Sequence, residues 1–159
     1  MNEIIEYDDY AEIILYDKYG NEKARAIIDL DDVDRCRDYR WSYDRYVRNI
    51  SFVGMLHRFV MNCTDNMVVD HINGDTLDNR KSNLRICNIS QNAMNQKTST
   101  RNKSGHKGIF WEKSRNKWRA TINIDKKQIM IGRYNTLEEA IQARRQAEID
   151  YYGEYRRQE

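Results

Sequence analysis

The sequence predicts an α+β protein of several small units, whose clearest element is a three-stranded antiparallel sheet packed on one helix. Three observations predict this class. Apolar and polar side chains alternate through residues 118–124, the period of a half-buried strand. Thr136 and Glu139 form a capping-box pattern before apolar residues at helical spacing. Elsewhere, short apolar segments are separated by polar turn signals.

The N-terminal region has the pattern of a small α+β unit. Segments 12–16 and 24–30 are apolar-rich and flank a polar turn, which predicts a hairpin. A short helix is predicted over 31–38, where Asp31 and Asp32 lie near its positive end. Residues 41–53 have the aromatic and β-branched content of short strands.

The middle of the chain alternates helix and strand patterns. A helix is predicted over 55–62 and a strand over 67–71, followed by a polar loop with an Asn-Gly turn. A second strand is predicted over 84–87, and a further helix over 89–96.

The C-terminal region predicts three strands, at 108–112, 117–124 and 128–134, and a helix over 137–152 that stops at Gly153. Before them, a segment with almost no apolar content predicts a flexible linker unless a partner orders it. The predicted units are an N-terminal unit at 1–46, a second region at 47–96, a basic linker at 97–107 and a C-terminal domain at 108–159.

Charge is distributed unevenly, although the net charge of the 159 residues is only +2. Residues 1–46 contain 7 Lys or Arg against 13 Asp or Glu, a net charge of −6. Residues 93–134 contain 11 against 2, a net charge of +9. A basic block of this kind predicts a polyanionic partner.

The cysteine pattern and hydropathy exclude several classes of protein. Cys36, Cys63 and Cys87 form no Cys-x-x-Cys pair, so we expect reduced, buried thiols and no structural zinc. No apolar stretch approaches the roughly 20 residues that cross a bilayer, and the N-terminus lacks a signal-peptide pattern. We therefore expect a cytoplasmic protein, in a bacterial or phage-infected cell, without membrane association.

One short segment combines residues suited to phosphodiester hydrolysis. Asp70 and His71 end an apolar run, and Asn83 and Asn92 follow. A carboxylate and an amide oxygen can hold a hard divalent cation, and an imidazole can take a proton from water near neutral pH. An adjacent Asp-His pair can also be an ordinary solvated strand end.

These residues lie within motifs that resemble the HNH endonucleases, in particular the phage and intron-encoded homing type. The motifs are Leu56-His57-Arg58, Val69-Asp70-His71 and Asp78-Asn79-Arg80-Lys81-Ser82-Asn83-Leu84-Arg85. The resemblance covers roughly 47–96. It implies a ββα-metal motif, hydrolysis of DNA and, for a single site per chain, a nick in one strand.

The resemblance also implies individual roles. Asp70 and Asn92 would be metal ligands for Mg²⁺ or Mn²⁺, which prefer oxygen donors. His71 would be the general base, and Asn83 would orient it through the facing backbone. The alternatives are a turn residue at Asn83 and an exposed helical amide at Asn92.

Five neighbouring residues have support or phosphate-contact roles that the sequence leaves open. His57 and Arg58 could touch a phosphate or brace the motif. Asn79 is predicted to stabilise its loop. Arg80 and Arg85 could be phosphate clamps, although exposed arginines are usually only solvated.

The C-terminal region resembles the Apetala-two or ethylene-response-factor type of DNA-binding domain, over roughly 105–153. Gly132-Arg133-Tyr134 and the alanine-bearing helix carry this resemblance, which implies a sheet that enters the major groove. A solvated basic face is the alternative, and Trp118 could be core. The predicted DNA contacts in the linker and sheet are Arg101, Lys103, Lys107, Trp111, Lys113, Arg115, Lys117, Arg119, Thr121 and Arg133.

The sequence therefore predicts an HNH endonuclease of the homing type that acts on double-stranded DNA. We expect a monomer, with a dimer as the alternative state. The alternative function is a catalytically inactive DNA-binding or regulatory protein. A third hypothesis is a nuclease directed to RNA or to a particular nucleic-acid structure.

Overall fold

The computed structural model of the chain describes residues 1–49, 51, 53–63, 66–99 and 102–157. The chain forms two compact units, residues 1–92 and 93–159. Both units combine small antiparallel sheets with helices, so the α+β class is confirmed. Arg101, a predicted DNA contact, lies outside the described residues.

The first unit begins with a three-stranded antiparallel sheet. Strands β1 (Ile4–Glu6), β2 (Ala11–Tyr16) and β3 (Glu22–Ile28) pair in that order, which confirms the predicted hairpin. The turn between β2 and β3 is closed by Asp17, whose Oδ1 accepts backbone N–H groups of Tyr19 and Asn21 at 2.8 and 2.9 Å.

Residues from both sides of position 46 pack together in one apolar core. A 3₁₀ turn at Leu30–Asp32 leads into helix α1 (Val33–Arg37). A second sheet follows, formed by β4 (Trp41–Tyr43), β5 (Val47–Asn49) and β6 (Gly54–Met55). The buried residues of this core include Ile13, Leu15, Trp41, Leu56 and Leu84, so the predicted boundary at 46 falls inside it.

The remainder of the first unit contains strand β7 (Val68–His71) and strand β8 (Leu84–Cys87), which pair antiparallel. Helix α2 (Leu56–Val60) precedes them. Helix α3 (Ile89–Asn95) follows, and its last three residues belong to the second unit. The predicted order of helix, strand, loop, strand and helix is confirmed.

The second unit is a three-stranded antiparallel sheet with one long helix. Strand β10 (Lys117–Ile124) lies between β9 (Ile109–Glu112) and β11 (Lys127–Tyr134). Helix α4 (Leu137–Tyr152) starts with the predicted capping box and ends at Gly153. Ala140 and Ala147 of α4 are buried in the apolar clusters under the sheet, as are Ile109, Ala120 and Ile122. Tyr152 is buried at the end of the helix, whereas the neighbouring Tyr151 is exposed.

The segment before β9 is more structured than the predicted flexible linker. Ser104 Oγ donates to Ile109 O at 2.6 Å, and Asn102 Nδ2 donates to His106 O at 2.8 Å. Gly108, with φ +73°, lies directly against β10, and a Cβ there would be 2.3 Å from Thr121 O. Across the described ranges, no helix has both the length and the apolar character of a membrane span.

Candidate active site in the first unit

The pairing of β7 with β8 places Asp70 and His71 next to each other in a largely buried position. In this register Asp70 faces Arg85, and His71 faces Leu84. Asp70 is 8% exposed and His71 is 4% exposed. Strand alternation directs the two side chains to opposite faces of the hairpin, so each has its own set of partners.

Asn79 fixes both the orientation and the tautomer of His71. Its Nδ2 donates to Leu77 O at 3.0 Å and to Thr76 O at 3.4 Å, so its Oδ1 must be the atom that lies 3.2 Å from His71 Nε2. An amide oxygen can only accept, so Nε2 carries the hydrogen. In the neutral ring, Nδ1 is therefore the nitrogen able to take a proton. The predicted supporting role of Asn79 agrees with these contacts.

Two aromatic rings surround His71. The centroid of the His57 ring lies 5.0 Å from that of His71 in an edge arrangement, and Tyr46 stacks at 6.2 Å. Burial lowers the pKa of His71 below its ordinary value, although the Asn79 hydrogen bond and the Asp70 carboxylate oppose this effect. The neutral form that a general base requires is therefore favoured at pH 7.

His57 is itself a buried, neutral histidine. It is 8% exposed, and its Nδ1 has no hydrogen-bond partner among the described residues. Burial, with smaller contributions from the charges of His71 and Arg58, lowers the pKa of His57 to about 4. Of its two predicted roles, bracing the motif is the one that its contacts with Tyr46 and His71 support.

Asn83 closes the loop between the two strands. Its Oδ1 accepts from Asn73 N at 3.1 Å, and its Nδ2 donates to Asp78 O at 2.8 Å. Its backbone carbonyl also accepts Ile72 N at 2.8 Å. Because Ile72 follows His71 directly, Asn83 holds the backbone at the end of the strand that carries the histidine.

Asp70 provides one carboxylate for a possible cation. Arg85 donates from both Nε and Nη2 to Asp70 Oδ2, at 3.0 and 2.7 Å. Asn92 lies in α3 and is partly buried. The described ranges bring no group of three His, Cys, Asp or Glu together as a metal cluster. One carboxylate and one amide suit Mg²⁺ or Mn²⁺, because Mg²⁺ keeps most of its water ligands.

The two other arginines predicted near the site also have partners within the protein. Arg58 Nη1 donates to Met67 O at 2.6 Å, so this side chain braces the segment before β7. Arg80 forms an ion pair with Asp78 at 2.8 Å, which lowers the pKa of that carboxyl.

The outward face of the second unit carries several predicted DNA contacts. The Arg119 guanidinium carbon lies 4.8 Å from the centroid of the Phe110 ring. Arg133 Nε donates to Glu112 at 2.6 Å, and Arg115 lies 3.6 Å from the same carboxylate. Lys117 contacts Asn135. Lys103 and Lys113 are exposed.

The predicted DNA contact of Thr121 is wrong, Lys107 has a partner within the protein, and Trp118 belongs to the core. Thr121 is 3% exposed, and its hydroxyl donates to Gly108 O, because Gly108 covers this part of the strand. Lys107 donates to Ala93 O at 2.7 Å, and burial lowers its pKa. Trp118 packs against the core and contacts the 41%-exposed Trp111 edge-on.

The cysteines were expected to be buried thiols. This is confirmed for Cys36 and Cys87, whereas Cys63 is only partly buried.

Sequence reasoning missed several residues that support the site. Tyr46 contacts both histidine rings, but nothing in its local pattern distinguishes it from the other ten tyrosines. Lys81 occupies a position inside the third motif that has no role in the pattern, yet it contacts Asp29 and Asp32. The contacts of Lys81 join segments about 50 residues apart, which local periodicity in the sequence does not indicate.

Comparison with known proteins supports the resemblance of the first unit to HNH endonucleases. Residues 62–94 match the family model for an HNH endonuclease. This match indicates an HNH-type segment at residues 62–94. Protein 3.8 of Escherichia phage T7 is 42% identical over 60 residues, which is 38% of this chain. The aligned part of this chain spans about half of that relative's length. No solved structure gives a significant match.

Proposed function

We propose that the chain is a divalent-metal-dependent HNH endonuclease of the homing type that nicks double-stranded DNA. The observation that carries the proposal is the fixed His71 ring. Within the region that matches the HNH model, Asn79 holds Nε2 at 3.2 Å and leaves Nδ1 as the proton acceptor.

The reaction divides between the residues of the loop and the two strands. His71 Nδ1 takes a proton from the attacking water, and the Asn79 oxygen stabilises the imidazolium that forms. Asn83 holds the backbone beside the base. Asp70 and Asn92 would hold Mg²⁺ or Mn²⁺, which when bound stabilises charge on the scissile phosphate and the leaving oxygen. The products would carry 5′-phosphate and 3′-hydroxyl ends.

Duplex binding is the proposed role of the outward sheet face of the second unit. Arg119 and Arg133 are paired on this face of neighbouring strands, in the part of the chain with a net charge of +9. The exposed Trp111 pairs with Trp118 on the other face of the sheet. Basic side chains give salt-dependent affinity for phosphates, and arginine can also contact guanine edges. The Apetala-two type of docking, a monomeric state and a cytoplasmic location in a phage-infected cell belong to this proposal.

One observation favours the alternative of an inactive DNA-binding protein. The carboxylate proposed as a metal ligand already accepts two hydrogen bonds from Arg85. An arginine that stays on Asp70 would oppose cation binding through its own charge.

Cleavage of supercoiled plasmid distinguishes the two functions. Wild type and His71→Ala would be compared in Mg²⁺, Mn²⁺ and EDTA, with open-circular and linear forms followed over time. We expect metal-dependent nicking that EDTA stops, and a loss of about 10²- to 10⁴-fold in His71→Ala. Intact plasmid in both metals, together with a gel shift on duplex DNA, would support the inactive binding protein instead. Competition by RNA and single-stranded DNA tests the third hypothesis.

A further inference from the structure

The edge of the N-terminal sheet is bonded to the loop that carries Asn79. Ile27 N donates to Leu77 O at 2.8 Å, and Asn79 N donates to Ile27 O at 2.8 Å. These two bonds form a short parallel bridge between β3 and the loop. The backbone of Asn79 is therefore fixed by a strand that lies outside the motifs of the HNH domain.

A second attachment lies two residues after Asn79. Lys81 N donates to Asp29 Oδ2 at 2.7 Å. The Lys81 ammonium lies 2.7 Å from Asp32 Oδ2, an ion-pair contact without the alignment of a hydrogen bond. Asp32 is 1% exposed, and its other oxygen accepts from Arg35 at 2.9 Å. A carboxylate buried to this degree requires cationic partners, so Asp32 holds the Lys81 ammonium in place.

We propose that residues 27–32 are positioning residues of the nuclease centre, which hold the loop at Leu77, Asn79 and Lys81 so that Asn79 keeps the His71 ring in one orientation. This inference rests on the proposed role of His71 as general base. It also gives a function to the acidic N-terminal region. That region would act by supporting the catalytic loop. It would not form a broad phosphate-binding surface, because its net charge of −6 repels phosphates.

The rate of the proposed reaction depends on how far the His71 ring can move from its position. Loops without such attachments are the mobile parts of a fold, and a displacement of about 1 Å at a reacting group can cost about 10²-fold in rate. Asn79 is fully buried, and its side chain already uses both amide hydrogens on Thr76 and Leu77. Moving its backbone would therefore move the oxygen that contacts His71.

Paired substitutions test this positioning role in the full chain. Asp29→Ala removes the acceptor of Lys81 N, and Lys81→Met removes the ion pair with Asp32, so each variant breaks one of the two contacts at Lys81. Asp29→Asn and Lys81→Arg retain an acceptor oxygen and a cation. Lys18→Met is the matched control, because Lys18 lies over the Tyr19 ring in the exposed β2–β3 turn. Each variant would be measured for nicking at saturating plasmid, for Kd on duplex DNA, and for the ¹⁵N signals of the neutral His71 ring.

We expect about a 10-fold lower kcat in Asp29→Ala and Lys81→Met, with Kd unchanged. Their His71 ¹⁵N signals should move towards a mixture of the two tautomers. Asp29→Asn, Lys81→Arg and the control should keep the wild-type rate and a protonated Nε2. This ring signature separates positioning from a loss of folded protein, which thermal unfolding measures independently.

Wild-type rates and ring signals in both disruptive variants would overturn the proposal. Should Asp29→Ala fail to fold, Lys81→Met decides, because Asp32 keeps Arg35 in that variant. A wild-type protein without nuclease activity would remove the proposed function alone. The ¹⁵N experiment would still show whether residues 27–32 fix the ring.

Discussion

The two units differ in the burial of the polar side chains that were predicted to be functional. In the first unit, Asp70, His71, Asn79 and Asn83 are each at most 8% exposed, and each has a hydrogen-bond partner within the protein. In the second unit, most of the predicted DNA-contacting cations lie on or near the surface. This difference matches the two proposed roles, because a catalytic group must be held in place before substrate arrives, whereas a binding surface can adapt to its partner.

The largest expected effect tests how closely the second unit is packed. Gly108→Ala should lower the free energy of unfolding of this unit by about 3–5 kcal/mol, because a Cβ clashes with Thr121 O and φ is +73°. Gly105→Ala is the control, since it has φ +74° but open space around the new Cβ. Urea unfolding followed at α4 amides measures both. Equal losses in the two variants would contradict the close approach.

A smaller effect tests the burial of polar groups in the first unit. The pKa of His57 falls from 6.5 to about 4 on folding. Between these values His57 binds more protons in the unfolded chain, so its contribution to stability should be constant above pH 6.5 and fall by about 3 kcal/mol as the pH drops to 4. Urea unfolding of α2 amides, with His57→Gln beside wild type, measures this loss. The variant should lack that part of the slope, and identical slopes would refute the assignment to His57.

Asn79→Ala tests whether fixing the base matters for the rate. Removing the oxygen that holds His71 Nε2 should lower the nicking rate by about 10- to 100-fold and leave Kd for duplex DNA unchanged. Asn21→Ala, in the exposed β2–β3 turn, is the control. A change in Kd with an unaltered rate would place Asn79 in binding instead.

The smallest effects should appear on the binding surface. Arg119→Ala and Lys113→Ala should each weaken DNA binding and reduce the slope of log Kd against log salt by about 1, if each cation contacts one phosphate. Arg25→Ala removes an exposed arginine of the acidic first unit, where Glu12 and Glu22 already pair with it. Its salt slope should equal that of wild type. Equal slopes in all variants would argue against this face.

Local patterns in the sequence predicted most elements but not the contacts between distant segments. The alternation in β10, the capping box at Thr136 and the β7–loop–β8–α3 order all depend on neighbours within a few residues. The burial of Thr121 depends instead on Gly108, which reaches β10 from the preceding turn.

In the candidate site, too, the sequence predicted the residues but not the contacts between distant segments. The motifs identified Asp70, His71, Asn79 and Asn83. In the structure His71 contacts Asn79, and Asn83 bonds to the backbone of Ile72 and Asp78, the residues next to His71 and Asn79 in the chain. Sequence spacing could not show that Arg85 would pair with Asp70, because this pairing follows from the register of two strands. The attachment of Ile27 to the loop likewise involves backbone atoms, which carry no signature in residue type.

The edge contact between Trp111 and Trp118 has an optical consequence. Their ring centroids lie 5.2 Å apart, Trp111 is 41% exposed, and Trp41, the remaining tryptophan, is buried in the first unit. A water-soluble quencher should therefore reduce the emission of Trp111 first and leave that of Trp41 nearly intact. Quenching lost on addition of duplex DNA would report, without any label, that the partner covers this indole.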